Sequence, residues 1–270
     1  MAEMPVAKAS FEQRLLGLLG APIFVIAESV GRIVILCRQT FYWLRTADRT
    51  DVLNQMVAIG VDSLPVTLLT SLFTGMVLAL QTGISFRRVF NEPIYVGTVV
   101  GLSLTKELGP VLTAVVVAGR VGASIAAELG TMKVTEQLDA LHTLGTNPIK
   151  FLAVPRFIAC LVSIPILTFM ADFVGVLGGL LVAVYRLGVP RTIYIHEIEQ
   201  LTWKEPTHGI IKSVVFAAII VIVSCNKGFT CEGGAEGVGK ATTSAVVQSM
   251  VLILVVDYFL SALLVAFGIG

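Results

Sequence analysis

Residues 94–118 read IYVGTVVGLSLTKELGPVLTAVVVA, an apolar run interrupted by Lys106-Glu107 and then by Gly109-Pro110. A charged pair and a helix breaker therefore fall together at membrane depth. Each charge within a span costs about 2.5–3.5 kcal/mol on insertion scales, so such residues face a bundle interior or a wet cavity, or form a structural ion pair. Pro110 removes the bond to the carbonyl of Lys106, which places the helix break at the charged pair and leaves that carbonyl in need of a partner or water. Adjacent residues on a helix are about 100° apart, so Lys106 and Glu107 point the same way only if the break distorts the turn.

Outward from this stretch, the chain is of the same kind. Hydrophobic residues make up 56% and charged residues 14% of it, against roughly 25% charged in a soluble domain, and the mean hydropathy is +0.89. The expected class is an all-α integral membrane protein. A net charge of +1 with scattered basic residues excludes nucleic acid as a partner. Cys37, Cys160, Cys225 and Cys231 match no zinc or redox spacing and read as small apolar residues.

Five spans are expected, near Leu64–Ile84, Ile94–Leu129, Phe157–Tyr185, Gly209–Ser224 and Ala245–Phe267. The second would be roughly 54 Å long at ~1.5 Å per residue, longer than the ~30 Å hydrocarbon core, and must kink, tilt or protrude. Phe11–Trp43 mixes charges through its apolar positions and ends in Phe41, Tyr42 and Trp43, as a helix lying in the interface does, and it lacks the order of a cleavable signal. Thr131–Leu144 reads as a short amphipathic helix, Arg186–Glu205 as a polar connector and Lys227–Gly239 as a Gly-rich turn. The division is an N-terminal segment, 1–60, and a membrane domain, 61–270. With the N-terminus in the cytoplasm, twelve basic residues fall on the inner side and six on the outer, as the positive-inside rule favours.

The remaining motifs argue against chemistry in this chain. Gly234–Ala241 nearly matches a phosphate loop, but Ala241 lacks the magnesium-binding hydroxyl and an apolar helix precedes it instead of a strand. Nucleophile elbow, paired zinc histidines and acid dyad are all missing from the sequence, and His142, His196 and His208 are far apart, so an enzyme and a metal site are disfavoured. Asp172 and Asp257 are single acids within spans, suited to helix–helix hydrogen bonding or to transport. Lys212 could snorkel from the outer end of its span or offer a cation to an anionic headgroup. The 131–144 helix could rest on the bilayer or dock a soluble partner, and its Glu136 and Asp139 are ill suited to lipid headgroups.

In order, Phe73–Gln81, Lys106–Pro110, Ala118–Ala123, Ala127–Ala140, Asn147-Pro148, Pro155-Arg156, Ile211–Phe216, Gly233–Thr243 and Asp257–Phe259 resemble the MlaE/YrbE family, permeases of MCE-type ABC transporters that move phospholipid between the inner and outer membranes of Gram-negative bacteria. The resemblance runs from about Leu64 to the C-terminus. It implies a homodimer in the bacterial inner membrane with an interfacial helix and five spans, working with a cytoplasmic ABC ATPase that holds ATP and magnesium, an MCE-domain lipid-binding protein and a STAS-domain subunit. It further implies that 131–144 is the coupling helix, with Glu128, Met132, Thr135, Glu136 and Asp139 facing the ATPase. A lipid cavity between the two copies would be lined by Leu78, Lys106, Glu107, Leu108 and Lys212. The expected function is therefore a permease subunit without cofactor or covalent chemistry of its own, maintaining outer-membrane lipid asymmetry. The alternatives are a non-transporting scaffold and a permease for another hydrophobic substrate such as a sterol.

Overall fold

The computed structural model describes residues 28, 31–90 and 95–268. The part of the expected interfacial helix before residue 31 lies, apart from Glu28, outside the described residues; residues 31–43 form helix α1. The elements that follow are α2 (Arg49–Ile59), α3 (Leu64–Phe90), α4 (Val96–Ser103), α5 (Gly109–Val117), α6 (Ala123–Val134), α7 (Gln137–Thr143), α8 (Val154–Tyr185), α9 (Arg191–Glu199), α10 (Lys204–Phe229) and α11 (Gly234–Ala266). No strand occurs among the described residues. Among the described residues five helical stretches are long and apolar enough to cross a membrane: Arg49–Val89, Val96–Val134, Ile149–Tyr185, Lys204–Phe229 and Gly234–Ala266. The expected all-α membrane class and number of spans hold.

In lipid the tails are as apolar as leucine, so helices associate through close packing and polar bonds more than through burial from water. α3 and α8 show this. A Cβ on Gly75 would collide with the carbonyl of Gly175, and Ser71 Oγ donates to the Ala171 carbonyl at 2.5 Å. One core gathers Leu129, Phe157, Ile164, Phe216 and Ile220 from α6, α8 and α10; a second gathers Ala79, Val96, Leu104, Leu187 and Tyr194 toward α9. The fifth span stands apart. Only 17% of its most apolar stretch is buried, against 61% for the fourth, so Leu254, Val255, Tyr258 and Phe259 face outward.

Three expectations change. The second span carries no open break: Leu104–Leu108 widens into a π turn in which Gly109 N–H reaches back to the Leu104 carbonyl. The extra residue in that turn places Pro110 in the first turn of α5, where a missing N–H is tolerated. The Gly-rich turn shrinks to residues 230–233, because Gly234–Ala241 opens α11, with Glu236 and Lys240 paired at i,i+4 and 2.6 Å apart. The amphipathic helix is also shorter than 131–144. Residues up to Val134 continue the second span, Glu136 turns the chain at φ 60°, and α7 begins at Gln137.

The connector 186–205 contains α9, and α9 carries a buried clamp. Glu197 accepts the backbone N–H groups of Tyr95 (3.1 Å), Gly97 (2.6 Å) and Thr98 (3.2 Å), the open donors at the start of α4. Tyr194 donates its hydroxyl to the Val176 carbonyl of α8 at 3.1 Å; burial, then the Glu197 charge, push its phenol well above the usual range, which keeps that donor protonated. Glu197→Ala should therefore lower stability by about 2–3 kcal/mol, the loss expected when buried donors lose a charged acceptor. Glu197→Gln should cost less, as read by thermal melting in detergent. Equal melting of both variants and the parent would remove the clamp from the account.

Candidate functional site

Lys212 is the centre of the site. It lies two turns into α10, wholly enclosed, although a lysine normally keeps its ammonium in water. Its Nζ sits 2.5 Å from Glu107 Oε2 and 2.8 Å from Asp257 Oδ1. The first contact has hydrogen-bond geometry, and the second is an ion pair outside the hydrogen-bonding direction, since Asp257 Oδ1 accepts no bond. Ser261, one turn after Asp257, has one hydroxyl proton to share between Glu107 Oε1 at 3.2 Å and the Asp257 carbonyl at 2.9 Å. One cation is thus shared by two carboxylates that come from the second and fifth spans, and the three spans are tied together.

Two backbone features put the groups there. The π turn sets Glu107 toward α10 and α11. Gly209 allows α10 to approach that turn closely, because a Cβ at 209 would collide with the Thr105 carbonyl. His208, on the same face as Lys212, is 1% exposed, and neither ring nitrogen has a partner among the described residues.

Among the residues singled out from the sequence, the structure joins Glu107, Lys212 and Asp257 and leaves others aside. Lys106 is half-buried and has no ion-pair partner among the described residues. Leu78 and Leu108 pack, partly buried, against the second core. The Glu107 side chain is 46% exposed, so the cluster opens on one side of the chain through Glu107, with Lys212 behind it. Enclosure excludes a snorkelling Lys212 and a Lys212 that meets a headgroup directly in this conformation. Asp172, on α8, stands against Gly109 of α5 and joins no ion pair among the described residues.

At the other end of the second span, Glu128 pairs with Arg156 Nη2 at 2.6 Å; Arg156 is buried and its Nε and Nη1 have no partner among the described residues. Met132 packs against the main core, and the Thr135 hydroxyl donates to the Thr131 carbonyl at 2.8 Å. Asp139 lies 3.4 Å from Lys133 across the turn that Glu136 makes. The five residues thus fall around the α6–α7 corner, with Glu128, Glu136 and Asp139 exposed and Met132 turned partly inward.

Sequence reasoning missed the pairing itself, along with Ser261 and Glu197. The only signal was that an acid within a span needs a partner; the partner's identity depends on contacts between residues 105 positions apart in sequence.

Comparison with known proteins gives one consistent picture. The family described as permease MlaE matches residues 52–263. A probable ABC transporter permease protein of Rickettsia typhi is 50% identical over 214 residues, covering 79% of this chain and 82% of the relative. One from Synechocystis is 45% identical over 218 residues, 80% of this chain and 82% of the relative. The protein TRIGALACTOSYLDIACYLGLYCEROL 1, chloroplastic, of Arabidopsis thaliana is 40% identical over 265 residues, 97% of this chain and 72% of the relative.

Proposed function

The chain belongs to the MlaE permease family, and from that premise we propose that this ABC transporter permease moves phospholipid between the inner and outer membranes and so maintains outer-membrane lipid asymmetry. The observation that carries the reading is the Glu107–Lys212–Asp257 cluster, a costly charged group at membrane depth that opens to one side through Glu107. The name of the Arabidopsis relative contains a diacylglycerol glycolipid, which supports a lipid as the substrate class.

In this reading two copies meet across the sparsely buried fifth span and enclose a pocket with Leu78, Lys106, Glu107 and Leu108 on its walls and Lys212 holding Glu107 from behind. A cytoplasmic ATPase binds ATP and magnesium and closes against the α6–α7 corner, where Glu128, Thr135, Glu136 and Asp139 take the force and Met132 passes it to the core. An MCE-domain protein receives or delivers the lipid, and a STAS-domain subunit completes the assembly. The protein sits in the bacterial inner membrane with its N-terminus in the cytoplasm.

A scaffold reading draws on the complete enclosure of Lys212, since a locked ion pair also holds helices together. ATP hydrolysis by the complex reconstituted in vesicles separates the two. A transporter shows hydrolysis that rises with added phospholipid and falls in Glu107→Gln; hydrolysis indifferent to both would favour the scaffold. A sterol-stimulated rate without a phospholipid-stimulated one would change the substrate.

A further inference from the structure

A second polar site adjoins the π turn that carries Glu107, on the side toward α9, with Thr105 of that turn in its lining. Asp172 is 8% exposed; its Oδ1 is packed against Gly109 without a hydrogen-bond partner among the described residues, and its Oδ2 accepts no hydrogen bond from them either. It lines a cavity of about 420 Å³ with Phe169, Phe173, Glu199, Thr202 and Trp203 among its neighbours. Among the described residues the lining holds two carboxylates and three aromatic rings, and neither lysine, arginine nor histidine. Phe169 and Phe173 are one turn apart on the outward face of the third span, 55% and 61% exposed, and Trp203 at the start of α10 is 84% exposed. The cavity therefore opens sideways toward lipid at the level where α10 begins, where tryptophan marks the interface.

A buried carboxylate without a partner is expensive, and a cation entering the cavity would relieve it as a proton does. A hard metal ion would require about six oxygen ligands, which two carboxylates on an apolar wall do not supply. Aromatic rings beside carboxylates suit an alkylammonium group, held by charge and by cation–π attraction. The sideways opening and the apolar wall select an ammonium that carries acyl chains.

We propose that this cavity binds the ammonium headgroup of a zwitterionic phospholipid from the membrane leaflet on the α9 side, with Asp172 and Glu199 as its acidic contacts. The site stands on the chain's membrane placement and on the chemistry of this cavity, and it would survive failure of the transport reading.

Trp203 is a built-in reporter, because Trp43 is the chain's other tryptophan. In Trp43→Phe protein reconstituted in phosphatidylglycerol vesicles, small fractions of a lipid brominated near the top of its chains quench Trp203 according to its occupancy of the cavity. Brominated phosphatidylethanolamine should associate about threefold to tenfold more strongly than brominated phosphatidylglycerol. Asp172→Asn should bring the ratio to about one, and Glu199→Gln should lower it. Glu199 is exposed, so its variant keeps the fold and carries the test if Asp172→Asn is not recovered. Equal quenching by the two headgroups in the parent, or an unchanged ratio in Glu199→Gln, overturns the proposal. Displacement by free ethanolamine in the buffer assigns the cavity to a soluble amine and overturns the lipid.

Discussion

Lys212→Met is expected to destabilise the protein by about 3–5 kcal/mol and to abolish lipid-dependent ATP hydrolysis by the complex. The side chain is fully enclosed and neutralises two carboxylates at once, Glu107 at 2.5 Å and Asp257 at 2.8 Å. Methionine fills similar space but leaves both acids facing each other with only Ser261 as a neutral donor to Glu107. Breaking a buried ion group by removing one member costs that much because the remaining charge is stranded, whereas replacing all members by uncharged groups is often close to neutral. The triple variant Lys212→Met, Glu107→Gln, Asp257→Asn should therefore regain most of the melting temperature while lipid-dependent hydrolysis stays absent. That split separates the cluster's part in holding helices from its part in transport. A single Lys212→Met variant that melts like the parent would contradict the burial argument. Full activity in the stable triple variant would make the charges structural only.

Glu136→Lys is expected to reduce recovery of the ATPase with the permease at least about tenfold, while the permease still inserts and melts normally. In the proposed docking Glu136 would pair with a cation of the ATPase; truncating one partner of such an enclosed pair costs about 2–5 kcal/mol, and every 1.4 kcal/mol is a decade in affinity. Glu136 sits at the corner between α6 and α7 with φ 60°, a conformation that costs a non-glycine residue about 1–2 kcal/mol. Lysine suffers the same strain, so the change isolates charge. Glu136→Gly removes both the carboxylate and the strain; it should raise the melting temperature slightly and still lose most of the ATPase. Undiminished recovery with lysine would take Glu136 out of the docking surface. Loss with lysine but not with glycine would mean that the carboxylate is dispensable and that the added positive charge repels.

The spans were legible because length and apolarity decide them, and the site was half legible. Lys106-Glu107 next to Gly109-Pro110 located the costly turn, and Asp257 and Lys212 each stood out as charges within apolar runs. Their union was not legible: it depends on α10 and α11 lying against the π turn, and sequence spacing carries no record of which helices touch. α9 was missed because Ile193, Tyr194, Ile195 and Ile198 are interspersed with charged and polar residues, although Tyr194 and Glu197 at i,i+3, after a Pro190 suited to a helix start, were available as a signal. Gly234–Ala241 misled in the other direction. Its glycines suggested a loop, while the Glu236–Lys240 spacing already favoured a helix, and such a helix forms when its continuation is a strongly apolar span. The corner at Glu136 has neither glycine nor proline to announce it, so the 131–144 pattern looked continuous.

In the proposed mechanism Glu107 and its neighbours face a lipid pocket formed when two copies meet, worked by ATP from the inner side. Photocrosslinking tests it most directly. A photoreactive amino acid at position 106, in the complete complex in membranes, should capture phospholipid without nucleotide and capture markedly less with ATP and magnesium. The same amino acid at Val255, which faces outward in the single chain, serves as the second reporter: it should capture the neighbouring copy. Lipid capture at 106 that ignores nucleotide, together with capture of lipid alone at 255, would contradict the account.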